Sequence, residues 1–266
     1  MQDRLVGELS EGEILSAILR ELGPSGAEVG PGDDAAVLSA SDGRVVATVD
    51  TLVHGPDFRL AWSSGFDLGW KSAAVNLADI AAMGARPTSI LVALAMPDET
   101  RLSFVVELAR GLRAGCDALA PGCVVEGGDL TVSDVLTVAV TALGTLDGRS
   151  AVRRSGARVG DVVAATGHLG DAARGLRLLF DRFRDAEGRP VPVDRSDLSG
   201  AEIRELDAQL RPAPAIGDGV RAALAGATAM MDLSDGLVLD AGRLAVASDV
   251  TLDLRREELG PTPTMR

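Results

Sequence analysis

Apolar residues recur every three to four positions in "EGEILSAILREL", with Ile14, Leu15, Ile18 and Leu19 on one face, and "GPSG" ends the helix they predict. A Gly/Pro turn bearing Asp33 and Asp34 follows, then a short apolar strand at 35–38 and a second strand through "RVVATVDTLV", late in which Asp50 falls. "FDLGWKSAAVNLADIAAMGA", 66–85, is apolar on most sides, as expected of a helix buried in a layered fold. One polar stripe runs through it: Ser72, Asn76 and Asp79, at the i, i+4, i+7 spacing of a shared face. "TSILVALAMP" predicts a strand, residues 101–119 a helix, and "CVVEGGDLTVSD" a strand that turns through Gly127 and Gly128 into Asp129. "DVLTVAVTALG" alternates as a strand up to the turn "LDGRS", where a domain boundary is expected: 1–147 and 148–266.

Beyond the boundary, "GDVVAATGHLGDAARGLRLLF" predicts strand, glycine turn and helix. "DRFRDAEGRPVPVDRSDLSG" is charged, broken by Pro and Gly, and predicts an exposed loop. "RPAPAIGDGVRAALAG" predicts a helix, "ATAMMD" a strand, "GLVLDAGRLAVAS" a helix, and "DVTLDL" the start of a last strand. Strands and helices alternate without the strict rhythm of a Rossmann domain, so the fold class is α+β, with mixed α/β layers.

The charge of −13 in 266 residues disfavours nucleic acid and anionic membrane surfaces as partners. No apolar run reaches membrane-span length and the N-terminus is acidic and polar, so a cytoplasmic protein is expected. Cys116 and Cys123 are too few and too widely spaced for a zinc knuckle or a CxxC pair, and read as small buried residues.

Aspartates recur at the ends of apolar strands and on the buried helix: Asp33, Asp34, Asp50, Asp79, Asp129, Asp232 and Asp235. Each alone fits a turn or a helix cap. Together they exceed the cations near them, since lysine occurs once, as Lys71, and unpaired buried carboxylates are costly. Hard divalent cations shared with substrate phosphates are the remaining compensation, which predicts a Mg²⁺–phosphate site. "GPGDDAAV" and "GHLGDAARG" match neither the Walker A pattern nor a Rossmann fingerprint, so any nucleotide is held through metal-bridged phosphates. His54 and His168 lie far apart and build no triad, and Asp147 and Asp240 carry no motif beyond turn and helix positions.

The stretches "GPGDDAAVL", "TVDTLVHGPDF", "KSAAVNLADIAAMGARP", "EGGD", "RRSGARVGD", "TGHLGDAARGL", "RPAPAIGDG" and "MDLSDGLVLD" occur in this order over residues 30–249. Together they resemble the thiamine-monophosphate kinases, in the superfamily of aminoimidazole ribonucleotide synthetase, selenophosphate synthetase and a hydrogenase maturation protein. The resemblance implies an N-terminal ATP/Mg-binding α/β domain whose strands help form a dimeric β-barrel, and a C-terminal α+β domain. It implies Mg²⁺ ligands at Asp34, Thr48, Asp50, Asp79, Asp129, Asp232 and Asp235, and nucleotide contacts at Gly128, Asp129, Arg154 and Ser234. Val49 stands where the family usually has threonine, and Asp57 where it usually has a substrate-contacting histidine. The chain ends at Arg266, where the family continues into an acidic "GGEDYE"-type motif, so the C-terminal domain is expected to lack the family's last segment.

The implied activity is in-line transfer of the ATP γ-phosphoryl group to thiamine monophosphate by a cytoplasmic homodimer, with aspartates holding metal and no residue acting as general acid or base. Two alternatives stay open: a sibling enzyme with a different acceptor, suggested by Asp57, and a catalytically silent nucleotide-binding paralogue, suggested by the chain's end.

Overall fold

The computed structural model describes residues 3–28, 36 and 38–255. Helix α1 (Glu11–Leu22) starts at a capping box: Ser10 Oγ accepts the Glu13 N–H while the Glu13 carboxylate accepts the Ser10 N–H at 2.9 Å. Of the strand expected at 35–38, residues 35 and 37 lie outside those described, as do Asp33 and Asp34, and 36 and 38 are not in a strand.

One four-stranded sheet carries the first half of the chain, in the order β1 (Val46–Val53), β4 (Thr137–Thr145), β2 (Arg86–Met96), β3 (Val124–Val132). β4 pairs antiparallel with both β1 and β2, and β3 lies parallel to β2, reached by a crossover through α3 (Leu102–Leu119). Helix α2 (Gly65–Ala82) packs against α3 and the sheet. Its Leu68, Ala73, Leu77 and Ile80 meet Val138, Val140 and Ala142 of β4 in a closed apolar core. Alternation along each strand sends one set of side chains to these helices and the other to the opposite, open face.

The expected turn at Gly127–Gly128 does not form, because β3 continues through both glycines to Val132. A Cβ on Gly128 would lie 1.9 Å from the Val92 carbonyl oxygen, so glycine here serves close strand approach instead of chain reversal.

The second half is helical among its described residues: α4 (Asp171–Arg182), α5 (Gly200–Leu210), α6 (Ile216–Leu224) and α7 (Leu237–Ser248). Helix α5 went unread in the sequence, where it follows directly on the charged loop. The strands expected at 160–166, 227–232 and 249–254 are irregular. An apolar run becomes a strand only beside a lateral partner, and these three have none among the described residues; Val159 and Val162 are almost fully exposed. A second core of Leu179, Phe183, Leu206 and Leu210 joins α4 to α5 and takes in Trp62 from the first half, whose Nε1–H donates to the Phe183 carbonyl at 3.0 Å.

Both cysteines are buried and free, as expected, and a hydrogen bond with Cys123 together with burial pushes the Cys116 thiol up. No helix among the described residues is long and apolar enough to cross a membrane.

Candidate active site

Thr48 and Asp50 lie two residues apart on β1 and therefore share the face turned toward α2. The polar stripe of α2 meets them there. Ser72 Oγ donates to the Leu68 carbonyl at 2.8 Å, and Asn76 Nδ2 donates to the Ser72 carbonyl at 2.9 Å. This leaves Asn76 Oδ1 to accept the Asp50 N–H at 3.1 Å, and one turn on, Asp79 Oδ2 accepts from Thr48 Oγ1 at 2.8 Å. The stripe thus binds the edge strand β1 through two side-chain bonds while Ser72 and Asn76 stay buried.

Asp232 approaches from the segment ahead of α7. Burial, then the Asp79 carboxylate, raises its proton affinity, which a hydrogen bond with Ser234 partly offsets; Asp240 raises it and Arg154 lowers it by smaller amounts. Burial, then Asp232, raises Asp50. Asp79 is raised by burial and by Asp50, against the lowering effects of Thr48 and Arg154. Three carboxylates from three elements therefore share one field, with Arg154 the cation that two of them feel. Arg154 sits in a short 3₁₀ turn (Arg154–Gly156) tied to α7, where Ser248 Oγ donates to its carbonyl and accepts the Ala157 N–H at 3.0 Å.

The three aspartates of "MDLSDGLVLD" separate into distinct roles. Gly236 takes φ +105°, open only to glycine, and turns the chain into α7. Asp240, read from sequence as a bystander, is fully buried: its carboxylate accepts the Asp235 N–H at 2.9 Å and a bond from Arg243 Nη1 at 2.8 Å. The same Arg243 nitrogen pairs with Asp235 Oδ2. Arg243 and Asp240 shape this loop; Arg243 is not among the residues that the sequence singles out, and its i, i+3 spacing from Asp240 on a helix is the available signal.

Asp129 stands apart. The register aligns Asp50 with Val140, Val92 and Gly128, and Thr51 with Ala139, Ala93 and Asp129. Asp129 therefore lies on the open face, opposite Asp50, and at the other edge of the sheet, three strand spacings or about 14 Å away. Asp57 Oδ2 accepts the Val53 N–H at 2.8 Å, closing the turn after β1. Asp34 lies outside the described residues. His54 and His168 are exposed.

Among the described residues, no three His, Cys, Asp or Glu side chains form a ready metal cage. The donor set at Thr48, Asp50, Asp79 and Asp232 is nonetheless all hard oxygen, with an excess of negative charge, which suits a divalent cation that also takes water and phosphate oxygens.

Residues 32–146 match the family described as AIR synthase related protein, N-terminal domain. The chain is 41% identical over 248 residues to the thiamine-monophosphate kinase of Mycobacterium tuberculosis, covering 93% of this chain and 69% of that one. With the enzyme of the same name from Corynebacterium glutamicum it shares 39% over 259 residues, 96% of this chain and 73% of the relative. The crystal structure of thiamine-monophosphate kinase from Stenotrophomonas maltophilia K279a superposes with a TM-score of 0.73 at 36% identity, over 90% of this chain and 71% of that one. AaThiL complexed with AMPPCP and TMP gives 0.69 at 30% identity, over 99% and 82%. Identity at this level across nearly the whole chain shows that it belongs to the thiamine-monophosphate kinase family of enzymes.

Proposed function

We propose that this chain transfers the γ-phosphoryl group of ATP directly to the phosphate of thiamine monophosphate, giving thiamine diphosphate and ADP, with Mg²⁺ as cofactor. The observation that carries the reading is the partly buried, electronegative field that Asp50, Asp79 and Asp232 share beside Arg154. Family membership and the relative complexed with AMPPCP and TMP support it.

Thr48, Asp50, Asp79 and Asp232 are the residues that would hold the cation, joined by Asp34, Asp129 and by Asp235 once it exchanges Arg243 for metal. Held there, the ion would supply positive charge against the phosphate oxygens of donor and acceptor. The acceptor phosphate is already anionic near neutral pH, so its oxygen attacks the γ-phosphorus without a general base, and the bond to the β,γ-bridging oxygen breaks as ADP leaves. The side chains have two tasks, screening and alignment. Arg154 screens the donor phosphates, Ser234 offers a hydroxyl to the nucleotide, and Gly128 with Asp129 contacts it from β3. Asp57 is assigned to the acceptor; with Oδ2 committed to Val53, that contact falls to Oδ1.

The reading includes a cytoplasmic homodimer. Val49, Leu91, Ala93 and Thr141 lie on the open face of the sheet, with Val49 well exposed, and pairing two such faces would close a barrel. Closing it would set β3 of one copy beside β1 of the other, and so bring Asp129 to the edge that carries the other copy's Thr48 and Asp50.

The test is incubation of the purified chain with ATP, Mg²⁺ and thiamine monophosphate, following both products. ADP and thiamine diphosphate in equal amounts, abolished by a chelator, are expected. ADP formed without thiamine diphosphate would move the activity to another acceptor, and no turnover with nucleotide still bound would leave only a binding protein.

A further inference from the structure

Glu126 is a carboxylate that the proposed chemistry does not use, yet it is only 2% exposed. It lies where the β2–β3 register slips: Ile90 pairs with Val125, but Leu91 pairs with Gly127, so Glu126 is the extra residue of a β-bulge. Ile90 and Val125 belong to the core beneath the helices. Strict alternation from Val125 would turn residues 127 and 129 to the same side. The inserted residue reverses that parity, and this alone puts Asp129 on the open face.

The Glu126 side chain is held from outside the sheet. Oε1 accepts the Gly26 N–H at 2.8 Å, and Oε2 accepts a hydrogen bond from Ser25 Oγ. Ser25 Oγ in turn accepts the Ala27 N–H at 3.0 Å, which fixes the local turn. This segment leads in sequence directly to "GPGDD", and Glu126 leads directly to "GGD". One buried carboxylate therefore ties together the chain ahead of two of the acidic stretches assigned to metal.

Resting on the proposed kinase reading, we infer that Glu126 is a positioning residue for the metal–phosphate site: by clamping Ser25 and Gly26 to the bulge, it fixes the face on which Asp129 is presented. A carboxylate suits the task because it accepts from a backbone N–H and a hydroxyl at once, and both oxygens are filled.

Glu126→Ala, Glu126→Gln and Ser25→Ala are compared with the wild-type chain by steady-state kinetics as a function of Mg²⁺ concentration, each alongside its thermal midpoint. Loss of a residue that orients metal ligands typically costs about 10–100-fold in metal affinity. Glu126→Ala is expected to raise the half-saturating Mg²⁺ concentration about tenfold or more and to lower kcat, with the KM for thiamine monophosphate changed far less. Glu126→Gln, which keeps the Gly26 acceptor, and Ser25→Ala, which removes one of the two bonds, are expected to fall in between. If Glu126→Ala lowers the thermal midpoint but its folded fraction keeps the wild-type Mg²⁺ dependence and kcat, the residue is structural and the inference is overturned. If Glu126→Ala does not fold, Ser25→Ala decides: an unchanged Mg²⁺ dependence overturns it equally. A wild-type chain without kinase activity would defeat the underlying reading instead; the same variants are then compared by Mg²⁺-dependent nucleotide binding, and equal Mg²⁺ requirements there would overturn the positioning role.

Discussion

Burial and the neighbouring Asp79 carboxylate hold the proton affinity of Asp232 above that of an ordinary aspartate, and Asp50 and Asp79 are raised in the same direction. A carboxylate raised in the folded state binds more protons there than in the unfolded chain. Stability from these groups is therefore fully present below the raised values' window and is lost as pH climbs from about 4 through the folded pKa. At neutral pH the ligand-free protein carries the full penalty, which a cation relieves. Asp232→Asn is expected to raise the thermal midpoint of the ligand-free chain near pH 7, to flatten its dependence on pH on the acid side, and to abolish the further rise that Mg²⁺ with ATP produces. Turnover should fall by more than about 100-fold, beyond the range that loss of an outer partner gives. Calorimetry from pH 4 to 8, with and without Mg²⁺–ATP, checks this; a variant less stable than wild type throughout would count against charge repulsion as the cause. At this scale the sequence was informative about charge in excess and silent about its partition. Asp232, Asp235 and Asp240 look equivalent in a line, and only the curl of the chain at Gly236 makes Asp240 the buried anchor.

Helix α2 was legible because it obeys two periodicities at once: an apolar surface for the sheet and α3, and the stripe of Ser72, Asn76 and Asp79 for β1. Asn76 joins them by accepting the Asp50 N–H, a bond that keeps this edge strand against the helix at the position of a proposed ligand. Asn76→Ala leaves that N–H without its partner, while the Ser72 carbonyl keeps its helical bond and loses only the side-chain donor. The expected cost is about 1–3 kcal/mol of stability, read from denaturant midpoints, with a loss of Mg²⁺-dependent activity larger than the loss of folded protein. Asn76→Leu should fare no better, since bulk cannot replace the acceptor. Other elements escaped because periodicity is a local signal. The apolar runs at 160–166 and 227–232 have the composition of strands but no lateral partners among the described residues, while the glycines of β3 look like a turn and instead permit contact with Val92.

The order β1-β4-β2-β3 sets β1 and β3 at opposite edges, and no pattern along the chain announces which strands end there. Asp50 is turned toward α2 and Asp129 toward the open face at the far edge, about 14 Å apart within one chain, whereas the proposed dimer would set them on neighbouring edge strands. Two inactive variants, Asp50→Asn and Asp129→Asn, should then complement each other when mixed through a denaturation and refolding cycle. In an isologous dimer with sites shared between copies, half of the reassorted dimers are mixed, and each mixed dimer has one site carrying both substitutions and one carrying neither. About a quarter of wild-type turnover should return. If both residues served a site within one chain, every site in every dimer would carry one substitution and the mixture would stay inactive. Restored turnover that grows with the time allowed for exchange, and disappears when each variant is refolded separately, would mean that the open face of the sheet brings together the halves of one site.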